Sequence, residues 1–185
     1  YNEAIIALRD YMAKYPGSVR HDEAQEFLMD VYLKTKNYES ALSALDAIKD
    51  KDLRLQVAYQ KLAFDRGVEL YEGRKYPEAL AFFQKALQYP ADQKATVNAH
   101  YWAGECDYAM GSFTAALGKY DDVRNAGGAY ASSLYEQAGY SMGYSFFKLK
   151  QYSEAATSFR RGLDASGMTR DQRNDAMVRI GDCYF

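Results

Sequence analysis

Apolar side chains recur along almost the whole chain at i, i+3, i+4 and i+7, the spacing of one helical face, with polar residues between them. Ala63, Gly67 and Leu70 form one such stripe, and Ala79, Phe83 and Ala86 another. The pattern predicts amphipathic helices throughout, divided by local breakers. Glu72-Gly73-Arg74-Lys75 and Ala109-Met110-Gly111-Ser112 read as tight turns, and Pro77 falls in the first turn of a helix, where its missing N–H is harmless. Pro16-Gly17-Ser18, Pro90-Ala91-Asp92 and Asn125-Ala126-Gly127-Gly128 read as longer breaks.

The helical pattern repeats. Tyr1, Tyr38, Tyr76, Phe113 and Tyr152 follow one another at steps of 37, 38, 37 and 39 residues. Each is followed by an alanine (Ala4, Ala41, Ala79, Ala116, Ala155) and then by a large apolar residue (Leu8, Leu45, Phe83, Tyr120, Phe159). Gly67, Gly104, Gly143 and Gly181 stand in one register upstream of the aromatics, with Met29 in that place in the first full unit. From Met29 or the glycine to the next alanine the distance is always 12 residues, whereas from alanine to the next small residue it varies from 25 to 27. A rigid helix-turn-helix unit therefore sits inside each period, and length variation falls between units, where loops tolerate it. Glycine facing alanine is expected to let two helix backbones approach closely, with the large residue filling the space beside them.

These residues resemble the tetratricopeptide repeat (TPR) signature. The resemblance is carried by Gly104 through Ala116 with Tyr101-Trp102 before and Tyr120 after, by Gly67 to Pro90 and by Gly143 to Gly162, and it covers nearly the whole chain. The period of about 38 residues departs from the usual 34. The resemblance implies an all-α, right-handed superhelical solenoid of antiparallel helix pairs. The expected division is a half repeat at 1–16, repeats at 19–50, 54–90, 93–125 and 130–165, and a half repeat at 171–185. The unpaired ends are expected to fray or self-associate, because terminal repeats normally carry polar caps. Tyr15-Pro16-Gly17-Ser18 and Tyr101-Trp102-Ala103-Gly104-Glu105-Cys106 are similar to envelope TPR proteins of Gram-negative bacteria, such as the outer-membrane assembly lipoprotein and the Tol-Pal-associated periplasmic protein. That similarity implies a periplasmic location and an adaptor role.

Composition narrows the function. Only 3 prolines occur in 185 residues, in keeping with helix throughout, while 18 tyrosines are an unusual excess. A formal net charge of −2 and a pI near 5.8 give no overall positive field, so nucleic acid and anionic membrane surfaces are poor partners. No run reaches the roughly 20 apolar residues of a spanning helix. Cys106 and Cys183 are too sparse for a disulfide framework, and as equivalents two repeats apart they should not meet. His21 and His100 have no second and third ligand at metal-binding spacing, and no phosphate loop or nucleophile elbow is present. The expectation is a chain without catalytic residues, cofactor or metal.

The resemblance places residues just off the packing stripe of each first helix in a concave groove. The first row is Glu26, Phe64, Tyr101, Tyr140 and Val178; the second is Asp30, Val68, Glu105, Tyr144 and Asp182. A third row, Leu33, Tyr71, Tyr108, Phe147 and Phe185, borders the packing stripe and reads mainly as inter-helix core. The candidate groove is thus Phe64, Val68, Tyr101, Glu105, Tyr140 and Tyr144, with Glu23, Glu26 and Asp30 as an acidic cluster that also fits a solvated helix face. TPR domains that clamp a partner's C-terminal carboxylate use Lys, Arg and Asn at the second-row places, which here are acidic, apolar or tyrosine. The function implied is a protein or peptide scaffold; a non-catalytic module of a larger enzyme or secretion machine is the alternative.

Overall fold

The computed structural model describes residues 1–126, 133–163 and 168–185. Gly127 and Gly128 of the expected break, residues 130–132 and 164–165 of the unit expected at 130–165, and the Leu33 side chain of the third row lie outside the described residues. Among those described, ten helices follow one another without a strand: α1 (Asn2–Lys14), α2 (His21–Thr35), α3 (Tyr38–Asp46), α4 (Leu53–Glu72), α5 (Tyr76–Ala86), α6 (Gln93–Ala109), α7 (Phe113–Asn125), α8 (Ser133–Lys148), α9 (Tyr152–Leu163) and α10 (Arg170–Asp182). Each packs against its neighbours in the chain, and α4, α6 and α8 also touch in succession. The chain is an all-α solenoid of antiparallel helix pairs, with the first helices of α4/α5, α6/α7 and α8/α9 forming one continuous layer. Among the described residues no helix is long and apolar enough to cross a membrane.

The constant 12-residue interval has its origin in the turn. Lys36, Arg74, Gly111 and Lys150 all take positive φ (53, 58, 79 and 60°) and stand two residues before the repeat aromatic. The next residue donates its N–H back five residues: Asn37 to Tyr32 O, Lys75 to Leu70 O, Ser112 to Asp107 O and Gln151 to Phe146 O, at 2.8–3.1 Å. This is the Schellman closure of a helix C-terminus. The same residue then accepts, through its own carbonyl, the first bond of the following helix, from Ala41, Ala79, Ala116 and Ala155. One residue ends one helix and starts the next, which fixes the geometry of the pair.

Three of the four left-handed positions are not glycine, and such a conformation costs an L side chain about 1–2 kcal/mol. Lys150→Gly is therefore expected to stabilise the fold by up to about 1 kcal/mol once the greater freedom of glycine in the unfolded chain is set against it. Gly111→Ala is expected to lose about 1 kcal/mol. Urea unfolding of both variants checks the pair of signs.

Between the paired helices, each of three glycines meets a ring of the facing helix. A Cβ on Gly67 would lie 2.7 Å from Phe83, on Gly104 2.6 Å from Tyr120, and on Gly143 2.6 Å from Phe159. The large residue lies against the glycine, because its side chain leans back along its helix toward the facing one. All three rings are fully buried, as are Ala79, Ala116 and Ala155. In the first unit, Met29 shares a core cluster with Leu45, so a side chain on one helix is matched by a smaller one on the other. Buried Gln60 joins two units: it donates to Thr96 Oγ1 and accepts from the Asp92 N–H, both at 2.8 Å, fastening the start of α6 to α4.

Candidate functional site

The layer of first helices leaves a cleft of about 340 Å³ between α6 and α8, lined by Tyr101, Glu105, Tyr108, Tyr120, Gln137, Tyr140, Ser141 and Tyr144. It is built from helical spacing. Tyr101, Glu105 and Tyr108 occupy one face of α6 at intervals of four and three, and Gln137, Tyr140, Ser141 and Tyr144 do the same on α8. The two faces meet because the helices are adjacent in the layer.

Glu105 stands at the centre. Its Oε1 accepts from the Tyr120 hydroxyl at 2.8 Å and from Ser141 Oγ at 2.9 Å, so one oxygen joins α6, α7 and α8. Tyr101, only 8% exposed, packs its ring 6.0 Å from that of Tyr120. Burial first, and the neighbouring Glu105 charge second, push the ionisation of Tyr101 and Tyr120 above the ordinary tyrosine range. Both hydroxyls therefore stay protonated and can donate.

The α8 end of the cleft is fastened differently. Tyr140 and Tyr144 lie edge to face at 5.3 Å, and both rings lean on Phe159. Their hydroxyls both donate to Asp175 Oδ2 on α10, Tyr140 at 2.7 Å. Burial opposes ionisation of Asp175, but the hydroxyls of Tyr144 and Tyr140 and the Arg179 guanidinium together hold its carboxyl below the usual range. Arg179 Nε lies 3.5 Å from Asp175 Oδ1. The two tyrosines thus serve the junction between successive units as well as walling the cleft.

Of the candidate groove residues, Tyr101, Glu105, Tyr140 and Tyr144 come together here. Phe64 and Val68 do not: both are half-buried against the cluster of Leu70, Ala79, Phe83 and Cys106, with the Phe64 and Phe83 rings 5.7 Å apart. Glu23, Glu26 and Asp30 are exposed on α2, and Glu26 is paired with Arg54 of α4. Tyr108, which the sequence places in the core-lining third row, does both jobs. It packs 5.3 Å from Phe113 and lines the cleft. Tyr120, Gln137 and Ser141 were not among the candidates; a polar residue one place from Tyr140 on a first helix was the available signal for Ser141.

Both cysteines are free. Cys106 is fully buried, and burial pushes its thiol up to about 12, so it behaves as a small apolar side chain. His100 Nδ1 sits 3.3 Å from Asp122, yet burial, the larger influence, lowers its proton affinity.

Known proteins support the fold. No curated protein matches the chain. Among solved structures, the chain is similar to the crystal structure of BtubC (BKLC) from P. vanneervenii, with a TM-score of 0.62 and 14% identity over 99% of this chain and 80% of that one. At that identity the likeness is one of fold. Two models of the tetratricopeptide repeat match residues 64–132 and 137–161, together just over half of the chain, and the matched segments include every residue that lines the cleft. The chain therefore belongs to the tetratricopeptide repeat family.

Proposed function

We propose that the chain is a non-enzymatic scaffold that holds a segment of another protein in the cleft between α6 and α8. Tetratricopeptide repeats generally mediate protein–protein interaction. The observation that carries the reading here is the convergence of Tyr101, Tyr108, Tyr140 and Tyr144 around one carboxylate in an open cleft. Tyrosine suits such a site because a large apolar face is fixed at low entropic cost and ends in a hydroxyl. No cofactor enters this reading. The finer role, an adaptor in bacterial envelope assembly, rests on the phrases Tyr15 to Ser18 and Tyr101 to Cys106 alone.

The test begins with peptides selected from a random library on the 185-residue protein. Their affinity for Tyr140→Ala and Tyr144→Ala is expected to fall at least tenfold, as for anchors at the centre of an interface. Because both side chains also hold α10, melting temperatures should fall modestly, and affinities are to be measured well below both transitions. Lower melting temperatures with unchanged affinities would show that these tyrosines serve the fold alone.

A further inference from the structure

Glu105 is a half-buried carboxylate without a cation. Its Oε1 accepts from the neutral hydroxyls of Tyr120 and Ser141, the Tyr101 hydroxyl interacts with the same carboxylate, and among the described residues no lysine, arginine or histidine pairs with it. The carboxylate lines the wall of the cleft. A carboxylate held by neutral donors still gains a stronger, charge-assisted bond from a cation brought to it. The walls around it are tyrosine rings, whose faces attract cations when a charge lies within about 6 Å of the ring centroid. Elsewhere on this chain the same chemistry is already made internally: Arg160 lies 5.3 Å over the Tyr184 ring, and Arg124 5.2 Å over Tyr135. Asp175, the next carboxylate along, differs in having Arg179 beside it.

We propose that the cleft between α6 and α8 takes a guanidinium side chain of the partner, with the Glu105 carboxylate as its counter-charge and the rings of Tyr108, Tyr140 and Tyr144 as its walls. This rests on the reading of the cleft as the docking site and adds the chemistry of the anchor. A planar guanidinium can stack on one ring while donating sideways to the carboxylate, which a lysine ammonium cannot do, and it is the more weakly hydrated of the two. The partner is therefore a peptide or loop that presents an arginine.

The probes are Nα-acetyl-arginine amide and its neutral isostere Nα-acetyl-citrulline amide, titrated into the protein and followed by backbone amide shifts. The arginine probe should shift amides of α6 and α8 saturably, and the citrulline probe should bind at least tenfold more weakly. Glu105→Gln keeps an oxygen for Tyr120 and Ser141 while removing the charge. It should weaken the arginine probe at least tenfold and leave the citrulline probe unchanged. Equal binding of the two probes, binding of neither, or arginine binding that survives Glu105→Gln overturns the proposal. Should circular dichroism show Glu105→Gln unfolded, Tyr108→Leu replaces it: loss of arginine binding supports the site, and retention overturns it. Selected peptides that depend on Tyr144 but bind equally well with citrulline in place of arginine would remove the cation and leave the docking function. An arginine probe that binds where no peptide does would leave the reverse.

Discussion

Phe83→Ala is expected to lower the unfolding free energy by about 3–5 kcal/mol, the range for deleting a fully buried aromatic ring whose surroundings cannot collapse. The ring lies against Gly67, which has no side chain to move into the space, and alongside Phe64 at 5.7 Å. Solenoid stability is a sum of unit and interface terms, so the loss should be local first. Amides of α4 and α5 should exchange faster before those of α8 and α9 do. Urea unfolding followed by circular dichroism gives the total and hydrogen exchange gives the place. A change under about 0.5 kcal/mol would mean that the ring is not the wedge between the helices.

Gly104→Ala is the complementary change, and it is expected to cost about 1–3 kcal/mol although alanine is the better helix former. The added methyl would meet the Tyr120 ring at 2.6 Å. That ring cannot swing away freely, because its hydroxyl is bonded to Glu105 at 2.8 Å. Gly118→Ala in α7 provides the internal control. Nothing lies within 4 Å of a Cβ there, so the same chemical change should stabilise by about 0.5–1 kcal/mol. Opposite signs at two helical glycines separate steric demand from helix propensity. Equal signs would remove the ring-over-glycine account of the register.

The architecture could be read from the sequence because the repeat marks its own contacts. Gly67, Gly104 and Gly143 and their rings Phe83, Tyr120 and Phe159 are spaced identically, and both members of each pair lie on one helix-turn-helix. The turn was less visible. Lys36, Arg74 and Lys150 adopt the conformation that glycine usually announces, and only Gly111 announces it. The site was readable only in part, since a helical stripe identifies a face but not what approaches it. Phe64, Tyr101 and Tyr140 share one row and pack alike on Phe83, Tyr120 and Phe159, yet of the three only Tyr101 and Tyr140 border the cleft. Bonds such as Ser141 to Glu105 and Tyr144 to Asp175 span 36 and 31 residues. No local pattern encodes them, because they depend on how far one unit is rotated on the next.

Glu105 Oε1 holds a donor from its own unit and another from the next, so the carboxylate ties together two units that also share one packed core. Bending the array at that point changes the width of the cleft and the length of both bonds together. An occupant therefore favours one curvature of the superhelix, and by thermodynamic reciprocity a change in curvature alters its affinity by the same factor.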